Sequence, residues 1–67
     1  MGTLDNAKIR ALREERGLSQ EEAAKLAGLG GRQQWNDVES GRRPNVTLDT
    51  LNKVAKALGV KARDLLN

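Results

Sequence analysis

Apolar residues recur along this chain at the three- and four-residue intervals that are typical of amphipathic helices. The first such stretch follows Asp5 or Asn6, either of which could cap a helix, and it stops at Gly17. Its apolar positions are Ala7, Ile9, Ala11 and Leu12. The pattern therefore predicts a first helix in this region.

The second predicted helix is marked at both ends. Ser19 with Glu22 three residues later forms a capping box, and Gly28 is a typical stop. The predicted buried face consists of Ala23, Ala24, Leu26 and Ala27. Its small alanines would let another helix pack closely.

A glycine-rich turn, Leu29-Gly30-Gly31, precedes a third short helix that ends at Gly41. Trp35 and Val38 lie three residues apart and face the same way. Trp35 could stack on a base, but a Trp at this spacing in a small domain is far more often part of the core. The remaining faces carry polar residues, namely Arg32, Gln33, Asn36, Asp37 and Ser40.

Pro44 interrupts the helical pattern and makes Arg42 to Asn45 a basic loop. Thr47 is a suitable N-cap for a fourth helix, which Gly59 ends. The predicted core positions of this helix are Leu48, Leu51, Val54, Ala55 and Leu58. One or two further helical turns could follow between Ala62 and Leu66. We therefore predict an all-α fold of about five short helices around one core, a single domain over residues 1–67.

Composition narrows the possible functions. The 67 residues include no Cys and no His, so the usual nucleophiles, proton shuttles and metal ligands are scarce. We therefore expect neither an enzyme nor a metal or cofactor site. A formal charge of +3 favours polyanionic partners. With no signal peptide and no membrane-spanning apolar run, the chain is predicted to be cytoplasmic.

Two short helices joined by a glycine turn form the layout of a helix-turn-helix, which makes DNA binding the leading hypothesis. Arg32 and Gln33 open the second helix of this pair, and their side chains match the edges of guanine and adenine. Asn36 is a further candidate to contact a base or a phosphate, and Gln34 is a weaker one. Asp37 would either accept from a cytosine amine or pair with a neighbouring Arg, and we favour the pairing.

Five segments, in order, resemble the Xre family of Cro- and CI-repressor-like helix-turn-helix regulators. They are IRALR at 9–13, GLSQEE at 17–22, VESGRRP at 38–44, LDTL at 48–51 and VAKALGV at 54–60. The resemblance implies a lambda-repressor-like domain of five helices. It also implies that the third helix enters the major groove of double-stranded DNA, usually as a homodimer on a palindrome.

The resemblance also assigns roles to single residues. From its residue type alone, Gln20 could be either a solvated side chain or a donor to a DNA phosphate. The family resemblance implies the phosphate contact. Members of the family commonly join helices one and three through an ion pair, which here would be Arg13 with Glu39. This chain departs from the family at Gly30-Gly31, where one extra residue makes the start of helix three uncertain by about one position.

A phosphate-binding group is predicted after helix three: Arg42, Arg43, Asn45 and Thr47. Ordinary solvated charge is the alternative for a run of only two arginines.

Two functions follow from this sequence. The first is a small homodimeric repressor or autoregulator, such as a phage Cro-like protein, a restriction-modification controller or an antitoxin. The second is a protein-interaction module on the same scaffold, in which Val60, Leu65 and Leu66 bind a toxin or another partner protein. Salt dependence would separate them, because phosphate contacts weaken steeply with salt.

Overall fold

A computed structural model describes residues 4–42 and 46–66 of the chain. Within these ranges it contains four α-helices: α1 (Asn6–Glu15), α2 (Gln20–Ala27), α3 (Arg32–Ser40) and α4 (Leu48–Leu58). A single 3₁₀ turn (Ala62–Leu65) follows α4. The predicted all-α class is confirmed, and the fifth element proves to be this one turn. Among the described residues, no helix combines the length and the apolar character that crossing a membrane requires.

Side chains cap three of the helices at their N-termini. Asp5 accepts a hydrogen bond from the backbone N–H of Lys8, and Thr47 accepts one from Thr50. Ser19 and Glu22 form the full capping box on α2. The N–H of Ser19 bonds the Glu22 carboxylate at 3.0 Å and holds the pKa of that group below its ordinary value. These caps fix where each helix starts.

The core lies where α2 packs against α3 and α4, with α1 and the 3₁₀ turn closing the other side. Its largest fully buried side chains are Trp35, Ile9, Leu58, Leu65 and Val54. Ala23, Ala24 and Ala27 face this core from α2, so the predicted close approach of a neighbouring helix is present. Trp35 belongs to the core, as its spacing from Val38 predicts.

The predicted core positions were wrong for several residues. Leu26 is 59% exposed because the three buried alanines already define the inner face of α2, and Leu26 points to one side of it. Leu48 is 71% exposed, since it opens α4 one turn before the buried stretch begins at Leu51. Ala7 and Ala11 are also exposed, and Ile9 alone is buried on α1.

Candidate nucleic-acid interface

A buried carboxylate joins three helices behind the polar face of α3. Arg13 donates two hydrogen bonds to Glu39, from Nε to Oε2 at 2.9 Å and from Nη2 to Oε1 at 3.0 Å. The third guanidinium nitrogen, Nη1, donates to the carbonyl oxygen of Leu18 at 2.8 Å. Both side chains are largely covered, with 13% of Arg13 and 6% of Glu39 exposed. The ion pair between helices one and three is therefore present.

Two further donors converge on the same carboxylate oxygen. The indole Nε1 of Trp35 lies 2.7 Å from Glu39 Oε2, and Gln20 Nε2 lies 3.4 Å from it. Burial alone would raise the pKa of Glu39, but the hydrogen bonds from Arg13 and Trp35 outweigh it and hold the pKa below its ordinary value. The hydrogen bonding between Arg13 and Glu39 also raises the pKa of Arg13 above its ordinary value. The pair is charged throughout the neutral range.

Sequence reasoning missed the role of Trp35 in this cluster. Two signals could have found it: a buried indole N–H needs an acceptor, and Glu39 lies four residues further along the same helix. The consequence is that α3 is held at one fixed rotation, with Trp35, Val38 and Glu39 facing inward.

Gln20 and Asn36 meet where the start of α2 crosses α3. Gln20 Nε2 donates to Asn36 Oδ1 at 3.2 Å, and both side chains are half-buried. They line a cavity of about 290 Å³ whose other walls are Arg10, Arg13, Glu39 and Ser40. Gln20, predicted to bind a phosphate, is thus hydrogen-bonded to Asn36, predicted to contact a base or a phosphate.

The start of α3 is built differently from the other helix starts. Its N-cap residue is Gly31, which has no side chain to cap the helix. Gln34 instead reaches back over the turn, and its Oε1 accepts from the N–H of Gly30 at 3.0 Å. The amide of Gln34, predicted as a weaker base-contacting candidate than Asn36, therefore braces the Gly30-Gly31 turn.

Arg32 and Gln33 lie on the first turn of α3, and both are exposed. Gln33 Nε2 donates to Asp37 Oδ1 at 3.1 Å, and Arg42 Nη1 lies 3.9 Å from the same oxygen. Asp37 is thus paired within the molecule, as favoured from the sequence. Its side chain is only 13% exposed, whereas that of Arg42 is 69% exposed.

The structure describes only two of the four residues that are predicted to bind phosphates after α3. Arg42 is exposed beside Asp37. Thr47 is exposed, but its hydroxyl caps α4 by bonding the N–H and the hydroxyl of Thr50. Arg43 and Asn45 lie outside the described residues.

The sequence matches a known protein family over almost its whole length. The family model described as a helix-turn-helix domain matches residues 7–67. The chain belongs to this helix-turn-helix family, as the Xre resemblance predicts. The control protein C.BamHI of Bacillus amyloliquefaciens is 43% identical to the helix-turn-helix chain over 61 residues, which are 90% of this chain and 73% of that protein.

Solved structures of relatives superimpose closely on this helix-turn-helix protein. The restriction-modification controller C.AhdI from Aeromonas hydrophila has a TM-score of 0.82 and 43% identity, with 90% of this chain and 88% of that chain covered. SinR, the master regulator for biofilm formation in Bacillus subtilis, was solved in complex with DNA. It gives a TM-score of 0.82 at 27% identity, with 92% and 97% covered. SinR has also been solved in a complex with SinI protein.

Proposed function

We propose that this DNA-binding transcription regulator recognises a specific double-stranded sequence by placing α3 in the major groove. One observation carries the proposal: the inner face of α3 is locked through Trp35 and Glu39, while Arg32 and Gln33 remain exposed on its first turn. A rigidly held helix with an exposed Arg and Gln suits direct contact with base edges. SinR, whose structure contains DNA, supports this docking.

The surroundings of α3 suit the phosphate backbone on either side of a groove. Gln20 stands at the N-terminus of α2, where backbone N–H groups and the helix dipole favour an anion. Arg42 follows α3 with its guanidinium exposed. Contacts to phosphates from both places would fix the orientation of α3 without selecting a sequence.

We further propose a homodimeric controller or autoregulator. Two copies related by a dyad would place their α3 helices one turn of DNA apart, at roughly 34 Å, and would recognise a pseudo-palindrome. The two relatives that share 43% identity with the chain are restriction-modification control proteins. This similarity favours a controller over the phage-repressor and antitoxin roles.

The test is selection of bound sequences from a random duplex library, repeated with Arg32→Ala and Gln33→Ala. We expect a palindromic consensus that relaxes at one symmetric position for each substitution, because each good bidentate contact is worth about 1 to 3 kcal/mol of discrimination. If the folded protein enriches no sequence above non-specific duplex, the proposal fails.

Salt dependence then separates phosphate contacts from base contacts. The logarithm of affinity should fall linearly with the logarithm of salt, and Arg42→Ala should reduce the slope by about 0.9 while affecting all sequences alike. Arg63→Ala, which removes an exposed Arg from the 3₁₀ turn, is the matched control and should leave the slope unchanged. If the affinity for DNA did not depend on salt, phosphate contacts would be ruled out, and the alternative function, binding of a partner protein, would be favoured.

A further inference from the structure

Gln33 carries an internal hydrogen bond on the exposed face of α3. Its Nε2 donates to Oδ1 of Asp37, four residues along the helix, at 3.1 Å. An ionised carboxylate has only acceptor oxygens, whereas a primary amide presents an oxygen on one side and an NH2 group on the other. Asp37 can therefore be met only by the NH2 side of Gln33.

This contact decides which way the amide of Gln33 faces. A free Gln can exchange its oxygen and nitrogen by a half-turn about the last side-chain bond at little cost, so it can meet several patterns of donors and acceptors. With Nε2 held by Asp37, Oε1 and the second N–H of Nε2 are left for an external partner. One acceptor beside one donor is the complement of adenine, which offers its N6 amine and N7 in the major groove.

We propose that Asp37 is a positioning residue that sets the base specificity of Gln33 for adenine. The inference rests on the proposed function, since it requires α3 to lie in the major groove. Asp37 acts through Gln33 and does not itself contact a base, because 87% of its side chain is covered and its carboxylate faces Gln33 and Arg42.

Arg42 provides the main competing explanation for any effect of Asp37. Its Nη1 lies 3.9 Å from Asp37 Oδ1, so loss of the carboxylate would also release Arg42. An effect through a phosphate-binding Arg changes affinity for every sequence by the same factor. An effect through Gln33 changes the preference at one base pair. The two routes are therefore distinguishable in one data set.

The experiment measures affinities of the purified protein for its selected duplex and for single-base variants of it. The wild type should prefer adenine by about fivefold or more at the position that Gln33→Ala relaxes, the lower bound for a bidentate contact. Asp37→Ala should cut this preference to about twofold or less, and Asp37→Asn, which keeps the volume of the side chain, should also weaken it. Arg42→Ala should leave the preference intact.

The double variant Gln33→Ala/Asp37→Ala completes the cycle. In the Gln33→Ala background, removal of Asp37 should change no base preference, because the side chain that it positions is gone. Circular dichroism of each variant checks that the helices are retained, and Asp37→Asn carries the test if Asp37→Ala does not fold.

Three results would overturn the inference while leaving the proposed function standing. They are an unchanged adenine preference in the folded Asp37 variants, a preference for another base at the Gln33 position, and a loss of preference at a different position, as direct contact of Asp37 with cytosine would produce. Failure of the wild type to enrich any sequence would overturn both proposals together.

Discussion

Glu39 is a single side chain that receives hydrogen bonds from three helices. Arg13 reaches it from α1, Gln20 from α2, and Trp35 from within α3. The Arg13 guanidinium balances the negative charge of Glu39. Removal of the carboxylate would therefore leave both this guanidinium and the Trp35 indole N–H without their acceptor. Such losses are larger than those of exposed ion pairs, because the abandoned groups cannot turn to water.

Substitution Glu39→Ala should therefore destabilise the fold by about 3 kcal/mol, at the lower end for a broken buried pair because Arg13 is slightly exposed. Thermal unfolding followed by circular dichroism measures the effect. Glu14→Ala is the matched control: it removes an exposed pair with Arg10 that is worth less than about 1 kcal/mol. Equal melting temperatures for the two variants would contradict a structural role for Glu39.

The lowered pKa of Glu39 also makes stability depend on pH. Since the folded pKa lies below the ordinary value of 4.5, the pair contributes fully above that pH, and its contribution is lost as pH falls through the folded pKa. Urea unfolding of the wild type and Glu39→Gln, which cannot ionise, should show a stability gap that narrows between neutral and acidic pH. A gap that is constant over this range would show that the charge of Glu39 is not involved.

At the scale of elements, α1 and α3 are also tied together at the end of α3. Asn6 Nδ2 donates to the carbonyl oxygen of Val38 at 2.7 Å, directly beside Gly41, which ends α3 with φ +79°. A Cβ at Gly41 would lie 3.2 Å from Asn6 Oδ1. The end of α3 therefore combines a left-handed conformation, which favours glycine, with a contact that leaves little room for a Cβ.

Gly41→Ala should cost about 1 to 2 kcal/mol for the left-handed conformation and roughly 1 kcal/mol more for the disturbed Asn6 bond. Gly17→Ala provides the control, since Gly17 has φ +68° and nothing within 4 Å of an added Cβ. Chemical unfolding of both variants would give the difference. If Gly17→Ala proved as costly as Gly41→Ala, the contact with Asn6 would contribute nothing.

Much of the element plan could be predicted from the sequence, because helix periodicity, the Ser19 capping box and the terminal glycines act locally. Arg13 and Glu39 could be paired only through the family resemblance, since they lie 26 residues apart. The contact of Gln34 with Gly30 could not be predicted, because it depends on the backbone turn before α3. Gln33 and Asp37 lie four residues apart on one helix, so helix spacing alone could have indicated their pairing.

At the scale of the whole molecule, the segments before α1 and after α4 close against each other. Leu4 and Leu66 form an isolated antiparallel bridge, and the N–H of Asp5 donates to the carbonyl oxygen of Leu65 at 2.7 Å. This closure buries Leu65 completely, while Leu66 stays 37% exposed. Adjacent residues of a short turn face different ways, so only one of the two apolar side chains can enter the core.

Leu65→Ala should accordingly destabilise the protein by about 2 to 5 kcal/mol through lost burial and the cavity left behind. The same substitution at Leu26, which is 59% exposed, should change stability by less than about 0.5 kcal/mol. Urea titration of both variants compares them. Near-equal midpoints would mean that the last turn is not part of the folding unit.

Trp35 is the only aromatic residue of the chain, which has no Tyr and no Phe. Its indole lies enclosed where α1, α2 and α3 meet, with the N–H bound to Glu39. Fluorescence excited in the near ultraviolet therefore comes from one known point in the molecule. The protein carries its own optical probe of that junction, and its emission spectrum should follow unfolding and the protonation of Glu39 without any attached label.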